Sequence, residues 1–170
     1  ATMHLDHKTF TEITFDDWAK RGRAEGMETG HQPRAIQALR RIPLQPGEKV
    51  LDVGCGNGWA TRWLHSQLGS GGVAIGIDFA AEMIALANNQ PAAGLSFSRA
   101  AFDALPFENA SFDHIFSMEA IYYATDLPRA LNEIARVHRS GGTLTLCIDF
   151  YEENPHSAGW PAMLNVPMVR

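Results

Sequence analysis

Two acidic residues and a glycine loop stand at positions where they could bind a small ligand. Asp52 belongs to the segment VLDVGCGNGW, residues 50–59, which begins with four strand-like residues. Three glycines alternate directly after them: Gly54, Gly56 and Gly58. Because glycine has no Cβ atom, a ligand can approach such a backbone closely. Asp78 ends the next apolar segment, where a carboxylate can accept hydrogen bonds from the two ribose hydroxyls of a nucleoside.

The spacing of the loop restricts the kind of ligand. A dinucleotide-binding loop has the pattern G-x-G-x-x-G, whereas this one is G-x-G-x-G with Trp59 at the sixth position. A phosphate-binding Walker loop would end in Gly-Lys-Ser/Thr, which is absent here. Asp52 would repel a phosphate at close range. The pattern therefore favours a nucleoside without phosphates and disfavours a nicotinamide-dependent oxidoreductase.

Apolar and helix-like segments alternate through the chain from Lys49 onward. Strands are predicted at 50–53, 73–77, 95–98, 112–117 and 143–150, and helices at 59–68, 80–89 and 127–138. This alternation predicts an α/β, Rossmann-like fold whose mostly parallel sheet is covered by helices on both faces. Ligands of such sheets bind at the carboxyl ends of the strands, where the strand order reverses.

The helix predicted at 127–138 has clear end signals. Asp126 is a candidate N-cap, and Pro128 suits the first turn. Its predicted apolar face consists of Leu127, Ala130, Leu131, Ile134 and Val137. Gly141 and Gly142 are predicted to end it.

The N-terminal region is predicted to form two helices. The first contains FDDWAKRGRA, with Asp16 or Asp17 as its N-cap, and the second runs from Pro33 to Ile42. The polar segment GMETGH is predicted to connect them as a loop. We expect one domain over 1–170, with a helical cap at 1–45, a ligand-binding core at 46–150 and an irregular tail at 151–170.

Composition narrows the function classes. The chain has 170 residues, 45% of them hydrophobic, and a formal net charge of −5. Acidic residues interrupt its densest basic region, which disfavours a nucleic-acid partner. No run of 18 apolar residues is present, so no membrane span is predicted. The two cysteines lie far apart, which favours a reducing, cytoplasmic setting, and the seven histidines lack metal-ligand spacing, so no metal is predicted.

Several motifs in order resemble those of class I S-adenosylmethionine-dependent methyltransferases. VLDVGCGNG is similar to their first motif and GIDFAAEMIALA to the second. The segment from DALPFENASFD to RSGGTLTL is similar to the later motifs of the type 11 small-molecule group. The resemblance covers about residues 45–150, and it implies S-adenosyl-L-methionine as the cofactor.

The resemblance also implies roles for individual residues. The loop glycines and Cys55 would carry the methionine and ribose part of the cofactor, Asp52 would hold its amino group, and Asp78 its ribose hydroxyls. Phe79 or Met83 would pack on the adenine. The further residues implied at the cofactor site are Ala101, Phe102 and Ser117. Ala101 and Phe102 stand where the family often has Asp-Ala, so the usual carboxylate for the adenine amino group is missing, and Asp103 would replace it only after a shift of the loop.

Candidate acid–base residues come from two segments. SMEAIYY, after the fourth strand, supplies Glu119, Tyr122 and Tyr123, and GMETGH supplies Met27, Glu28 and His31. The predicted catalytic residues are Glu119, His31 and Tyr122. The alternative for Glu119 is a surface or capping carboxylate, for His31 a pocket-lining or helix-capping role, and for Tyr122 a packing role. Because this family often closes N-terminal helices over its cofactor, the cap is expected to act as a lid.

The acceptor is expected to be a small or lipid-like molecule. Methyltransferases that act on nucleic-acid bases or glutamine typically have Asn/Asp-Pro-Pro-aromatic where this chain has SMEAIYY. The chain stops before the family's last two strands, so it is expected to be a fragment, or to form a homo-oligomer through the incomplete sheet edge. A cofactor-binding protein without catalytic activity is the alternative function.

Overall fold

The computed structural model describes residues 7–149 and Pro155, so the predicted tail at 151–170 otherwise lies outside the described residues. Among the described residues five strands are present: β1 (Lys49–Val53), β2 (Val73–Asp78), β3 (Leu95–Arg99), β4 (Phe112–Met118) and β5 (His138–Cys147). Five α-helices accompany them: α1 (His7–Lys20), α2 (Arg23–Leu39), α3 (Trp59–Gln67), α4 (Ala81–Ala87) and α5 (Leu127–Val137). A short 3₁₀ helix spans Ile121–Tyr123.

All strands pair in parallel, in the order β3-β2-β1-β4-β5. From β1 the chain first builds outward through β2 and β3, and then returns to the other side of β1 with β4. The order therefore reverses between β1 and β4, which places a ligand-binding crevice at the carboxyl ends of these two strands. The predicted Rossmann-like sheet is confirmed.

Helices cover both faces of the sheet, as predicted. Alternate side chains of β1 point to opposite faces. Leu51 and Val53 pack in one buried cluster with Ile134 of α5, whereas Val50 packs in another with Leu64 of α3 and Leu39 of α2. Both layers are apolar and fully buried, so they fix the position of β1 and of the loop that follows it.

Helix α5 begins as predicted but differs along its face. The Asp126 carboxylate accepts the Arg129 N–H at 3.0 Å, which confirms the N-cap. Ala130, Ile134 and Val137 are buried, but Leu131 is 41% exposed, so its assignment to the buried face is wrong.

The glycines predicted to end α5 belong to a strand instead. The helix ends at Val137, and β5 already includes Gly141 and Gly142. A Cβ atom on Gly142 would lie 2.0 Å from the carbonyl oxygen of Asp113 on β4. Gly142 is therefore required for close approach of two strands.

The predicted N-cap role of Asp16 or Asp17 in the first helix is wrong. Helix α1 already begins at His7, and both residues lie well inside it. The Asp16 carboxylate instead accepts the N–H of Glu82 in the first turn of α4, at 3.0 Å. Asp16 thus satisfies a free N–H group of a different helix.

The predicted loop at GMETGH and the helix start at Pro33 are also wrong. Helix α2 is continuous from Arg23 to Leu39, with Pro33 inside it. Ala24 packs against α1 and α4, while Ala35 and Leu39 are fully buried. This packing holds the segment helical despite its two glycines and its proline.

Strand β5 forms one edge of the sheet, as predicted. Leu144 and Leu146 in β5, and Ile148 just after it, are between 37% and 43% exposed. Within residues 7–149, no helix combines the length and the apolar character needed to cross a bilayer.

Candidate functional site

A cleft with about 680 Å³ of empty space opens at the carboxyl ends of β1, β2 and β4. This cleft, called the inner cleft below, is walled by the glycine loop, by helices α1 and α2, and by the segment after β4. Ten of the predicted site residues line it: His31, Asp52, Gly54, Cys55, Gly56, Asp78, Phe79, Met83, Phe102 and Glu119. Apolar walls with a few convergent polar groups are typical of small-molecule sites.

The three loop glycines have different surroundings, although all have positive φ angles. A Cβ atom on Gly54 would lie 2.1 Å from Cβ of Ala120, so this position permits close packing of the loop on the segment after β4. A Cβ atom on Gly56 would meet no heavy atom within 4 Å, which leaves the loop backbone open to the inner cleft. Gly58 does not line that cleft, and its Cβ would lie 2.5 Å from the ring of Phe97.

Asp78 is the buried carboxylate at the end of β2. Its Oδ2 accepts the Gly56 N–H and its Oδ1 accepts the Ala80 N–H, both at 2.9 Å. These bonds fix the carboxylate against the glycine loop. Burial raises the pKa of Asp78 to about 6, because the loss of hydration outweighs the stabilising hydrogen bonds.

Asp52 lies beside it at the end of β1. Its Oδ2 accepts the hydroxyl of Thr61, on α3, at 2.6 Å. Burial raises the pKa of Asp52 to about 7, and the neighbouring Asp78 contributes in the same direction. Two carboxylates held together in this way favour a cationic or hydroxyl-bearing ligand over an anionic one.

Aromatic and apolar side chains form the other end of the inner cleft. The rings of Phe79 and Phe102 are 5.3 Å apart, and Phe15 of α1 lies 5.4 Å from Phe79. Met83 is fully buried nearby. Such a surface suits the flat face of a purine.

Ala101 lies outside the inner cleft and lines two smaller clefts that also contact Phe79. Asp103 lines one of these smaller clefts together with Ala101 and Phe102. Asp103 therefore lies next to the aromatic end of the inner cleft, two residues from Ala101, the position where the family often has an aspartate.

Glu119 lies at the end of β4, with an uncommon backbone conformation for a residue that is not glycine. Its φ is 50°, and its N–H donates to the Cys147 carbonyl of β5. Its carboxylate accepts the Tyr122 hydroxyl and the Asp149 N–H. Burial raises the pKa of Glu119, whereas these hydrogen bonds lower it.

Two other predicted residues do not reach the inner cleft. Tyr122 is 5% exposed and contacts Glu119, while its neighbour Tyr123 lines the cleft. Burial raises the pKa of Tyr122, so its hydroxyl stays protonated. The hydrogen bond that this hydroxyl donates can therefore orient the carboxylate of Glu119. Ser117 is buried in β4 and donates to the Val53 carbonyl of β1 at 2.7 Å.

Helix α2 forms the cover of the inner cleft. Glu28 accepts the side-chain N–H of Asn57, in the glycine loop, at 2.8 Å. His31, one turn further, lines the cleft, and burial lowers its pKa, so the imidazole is neutral near pH 7. The side chain of Met27 lies outside the described part of the chain.

Sequence reasoning did not single out several residues that line the inner cleft. They include Phe15, Asn57, Trp59 and Met118. Asn57 and Trp59 flank the third glycine and could have been found from that position. Phe15 carried no local signal, because it reaches the cleft only through the packing of α1 on α4.

The parallel sheet, its reversal point and the buried acids together define a Rossmann-like nucleoside-cofactor-binding protein. A family model described as "Methyltransferase domain" (Methyltransf_11) matches residues 51–146, more than half of the chain. The chain belongs to this family, the type 11 group of class I S-adenosylmethionine-dependent methyltransferases. The cofactor of this family is S-adenosyl-L-methionine, and the open Gly56 backbone, Asp78 and Phe79 fit its ribose and adenine.

Similar proteins include methyltransferases from several organisms. The malonyl-[acyl-carrier protein] O-methyltransferase of Erwinia billingiae is 37% identical over 73% of this chain and 49% of its own length. The O-methyltransferase resE of Aspergillus sclerotiorum is 31% identical over 88% of this chain and 60% of its own. The chain thus spans about half the length of the curated relatives it matches.

A solved structure shows a more extensive similarity. It is a complex between the Haloferax volcanii Trm112 methyltransferase activator and a protein assigned there as a methyltransferase. The similar chain is 42% identical, with a TM-score of 0.86 over 92% of this chain and 69% of that one.

Proposed function

We propose that this chain is the cofactor-binding part of a methyltransferase that transfers a methyl group from S-adenosyl-L-methionine to a small-molecule or lipid-like acceptor. The observation that carries the proposal is Asp78, which is buried at the inner cleft and held by two backbone N–H groups. Its position at the end of β2 suits it to accept hydrogen bonds from ribose hydroxyls.

Some residues of the inner cleft are suited to bind the cofactor and others to bind the acceptor. When bound, S-adenosyl-L-methionine supplies a methyl group on a positively charged sulfur, ready for in-line displacement. Asp52 and the glycine loop hold the polar part of the cofactor, and Phe79 and Met83 its adenine. Glu119 and the neutral His31 also line the inner cleft, and either could take a proton from an acceptor.

The covered position of the inner cleft also supports this proposal. Helix α2 is tied to the glycine loop by the hydrogen bond from Asn57 to Glu28, and we expect it to limit the access of water to a bound acceptor. For a reaction whose leaving group is already activated, alignment of the acceptor is the main contribution of the protein, worth roughly 7–11 kcal/mol at most.

Calorimetric titration with S-adenosylhomocysteine, S-adenosyl-L-methionine and NADH tests the cofactor. We expect binding of the first two, and a loss of about 30-fold or more in affinity for Asp78→Ala, because two charge-assisted hydrogen bonds disappear. Glu108→Ala, which removes an exposed carboxylate, serves as the control. Unchanged affinity in a folded Asp78→Ala variant would contradict the proposal.

Catalysis is tested separately, because a cofactor-binding protein without activity would pass the first experiment. Release of S-adenosylhomocysteine is measured over a panel of hydroxylated, amino and carboxylate acceptors. Turnover of at least one acceptor, lost on Asp78→Ala, supports the enzyme. Tight cofactor binding without turnover of any acceptor by the full-length protein would favour the alternative.

A protein partner belongs to the same proposal. The similar chain from Haloferax volcanii is found with a Trm112 activator, and that similarity covers 92% of this chain. We therefore propose that this chain binds a small activator protein of the same kind. Co-expression of the two and co-purification at a fixed ratio would support it, and their separation on a sizing column would contradict it.

Homo-oligomer formation, the single-domain boundaries and the cytoplasmic location stay predictions.

A further inference from the structure

A second cleft, called the outer cleft below, opens beside the inner one. It has about 500 Å³ of empty space and shares His31, Met118 and Glu119 with the inner cleft. Helix α2 adds Arg34 to its wall, and the segment after β5 adds Ile148 and Asp149. None of its lining residues belongs to the glycine loop, so a ligand in the outer cleft would reach Glu119 and His31 without contacting that loop.

Arg34 and Asp149 form an ion pair across the outer cleft. Arg34 Nη1 donates to Asp149 Oδ2 at 2.8 Å, and the two side chains are 79% and 37% exposed. A single contact at this exposure contributes little stability. Within the described part of the chain Asp149 is the one hydrogen-bond partner of Arg34, so most of the five guanidinium N–H donors face solvent or the cleft.

The outer cleft thus contains both a hydrogen-bond donor group, the guanidinium of Arg34, and an acceptor group, the carboxylate of Glu119. Asp149 connects them, because its side chain pairs with Arg34 while its backbone N–H donates to Glu119. The guanidinium donor of Arg34 and the carboxylate acceptor of Glu119 therefore both contact the same residue, Asp149. A small molecule with an anionic group at one end and a hydroxyl or amino group at the other matches this arrangement.

We infer that the outer cleft is the acceptor subsite and that Arg34 selects acceptors carrying a carboxylate. The inference rests on the proposed function, since an acceptor is needed only if the inner cleft holds the methyl donor. Arg34 can bridge Asp149 and a ligand carboxylate at once, because its planar fork has enough donors for both. The body of the ligand would lie against Met118 and Ile148.

The charges that face Arg34 are compatible with this inference. Asp149 is compensated by Arg34 itself, and His31 is neutral near pH 7 because burial lowers its pKa. Glu119 is the remaining acid, and burial raises its pKa while Arg34 acts in the opposite direction. Because Arg34 is also paired with Asp149, an anion bound there gains hydrogen bonds to the remaining guanidinium N–H donors and not an excess of positive charge.

The test compares benzoate with benzamide, which have the same shape but differ in charge. Binding of each to the ¹⁵N-labelled protein, saturated with S-adenosylhomocysteine, is followed by NMR chemical shifts at pH 7.5. We expect benzoate to bind about tenfold more tightly than benzamide, with shifts at Ala35 and Ile148, because a charge-assisted hydrogen bond is gained. Arg34→Ala should remove the preference and Arg34→Lys should keep part of it.

Arg41→Ala is the matched control, since Arg41 is an exposed arginine just beyond α2 and outside the outer cleft. It should leave the benzoate preference unchanged. Equal binding of the two probes, no binding of either, or a preference that survives Arg34→Ala would overturn the inference. Failure to bind S-adenosylhomocysteine would instead overturn the proposed function, so the two failures are distinguishable.

Discussion

Alanine substitution at Gly54 should mainly reduce stability, whereas alanine at Gly56 should mainly reduce the affinity for the cofactor. Both residues have left-handed backbone angles, with φ values of 78° and 53°. An alanine in this region costs about 1–2 kcal/mol of folding free energy at either position. The two substitutions therefore share the cost of placing alanine in a left-handed backbone conformation, and they differ in the atoms that the new methyl group contacts.

At Gly54 the methyl group would lie 2.1 Å from Cβ of Ala120, well inside contact distance. Neither atom can move alone, because each is attached directly to the backbone, and Glu119, the residue before Ala120, already has a positive φ. Such overpacking adds about 1–3 kcal/mol. Gly54→Ala should thus reduce the free energy of unfolding by about 2–5 kcal/mol.

At Gly56 the methyl group would meet no heavy atom within 4 Å but would extend into the inner cleft. The loss of stability should stay near 1–2 kcal/mol, while the affinity for S-adenosylhomocysteine should fall about tenfold or more. Urea unfolding gives the stabilities and calorimetry the affinities. Equal stability of the two variants, or full affinity in Gly56→Ala, would refute this account of the loop.

Three further predictions concern titration, orientation and capping. The raised pKa values of Asp52 and Asp78, about 7 and about 6, make the folded protein bind more protons than the unfolded chain above about pH 4. The contribution of these two protonated groups to the free energy of unfolding is complete below about pH 4 and is lost as the pH rises to about 7. Urea unfolding should therefore show a free energy of unfolding that falls with pH over this range, and the fall should be smaller in Asp52→Asn. Tyr122→Phe should raise the pKa of Glu119, since the Tyr122 hydroxyl lowers it, and NMR titration of ¹³C-labelled Glu119 measures the shift; no rise would contradict the orienting role. Asp126→Ala should cost about 0.5–2 kcal/mol through loss of the N-cap of α5, whereas a change below experimental error in urea unfolding would argue against it.

The core of the fold could be predicted because its local and long-range signals agree. VLDV is apolar at three of its four positions, β-branched at two and followed by glycines, and it forms β1 at the centre of the sheet. Asp78 could be located in advance because the parallel order of β1 and β2 brings their carboxyl ends together. Family membership and the cofactor followed from the same segments.

The cover of the site could not be predicted from local signals. Gly26, Gly30 and Pro33 predict a break, yet α2 runs through all three, because the burial of Ala35 and Leu39 outweighs their low helix propensity. The outer cleft likewise depends on a contact between residues 115 positions apart, Arg34 and Asp149. No periodicity within either segment indicates that pairing.

The hydrogen bond from the Glu82 N–H to Asp16 makes one amide of α4 a reporter on the attachment of α1. Its proton can exchange with solvent only when the first helix detaches, or when α4 itself opens. Comparison with the Asn88 N–H, which is bonded within α4's own segment, separates these two events. The exchange rate of a single backbone proton would then measure how often the helix that carries Phe15 moves away from the inner cleft.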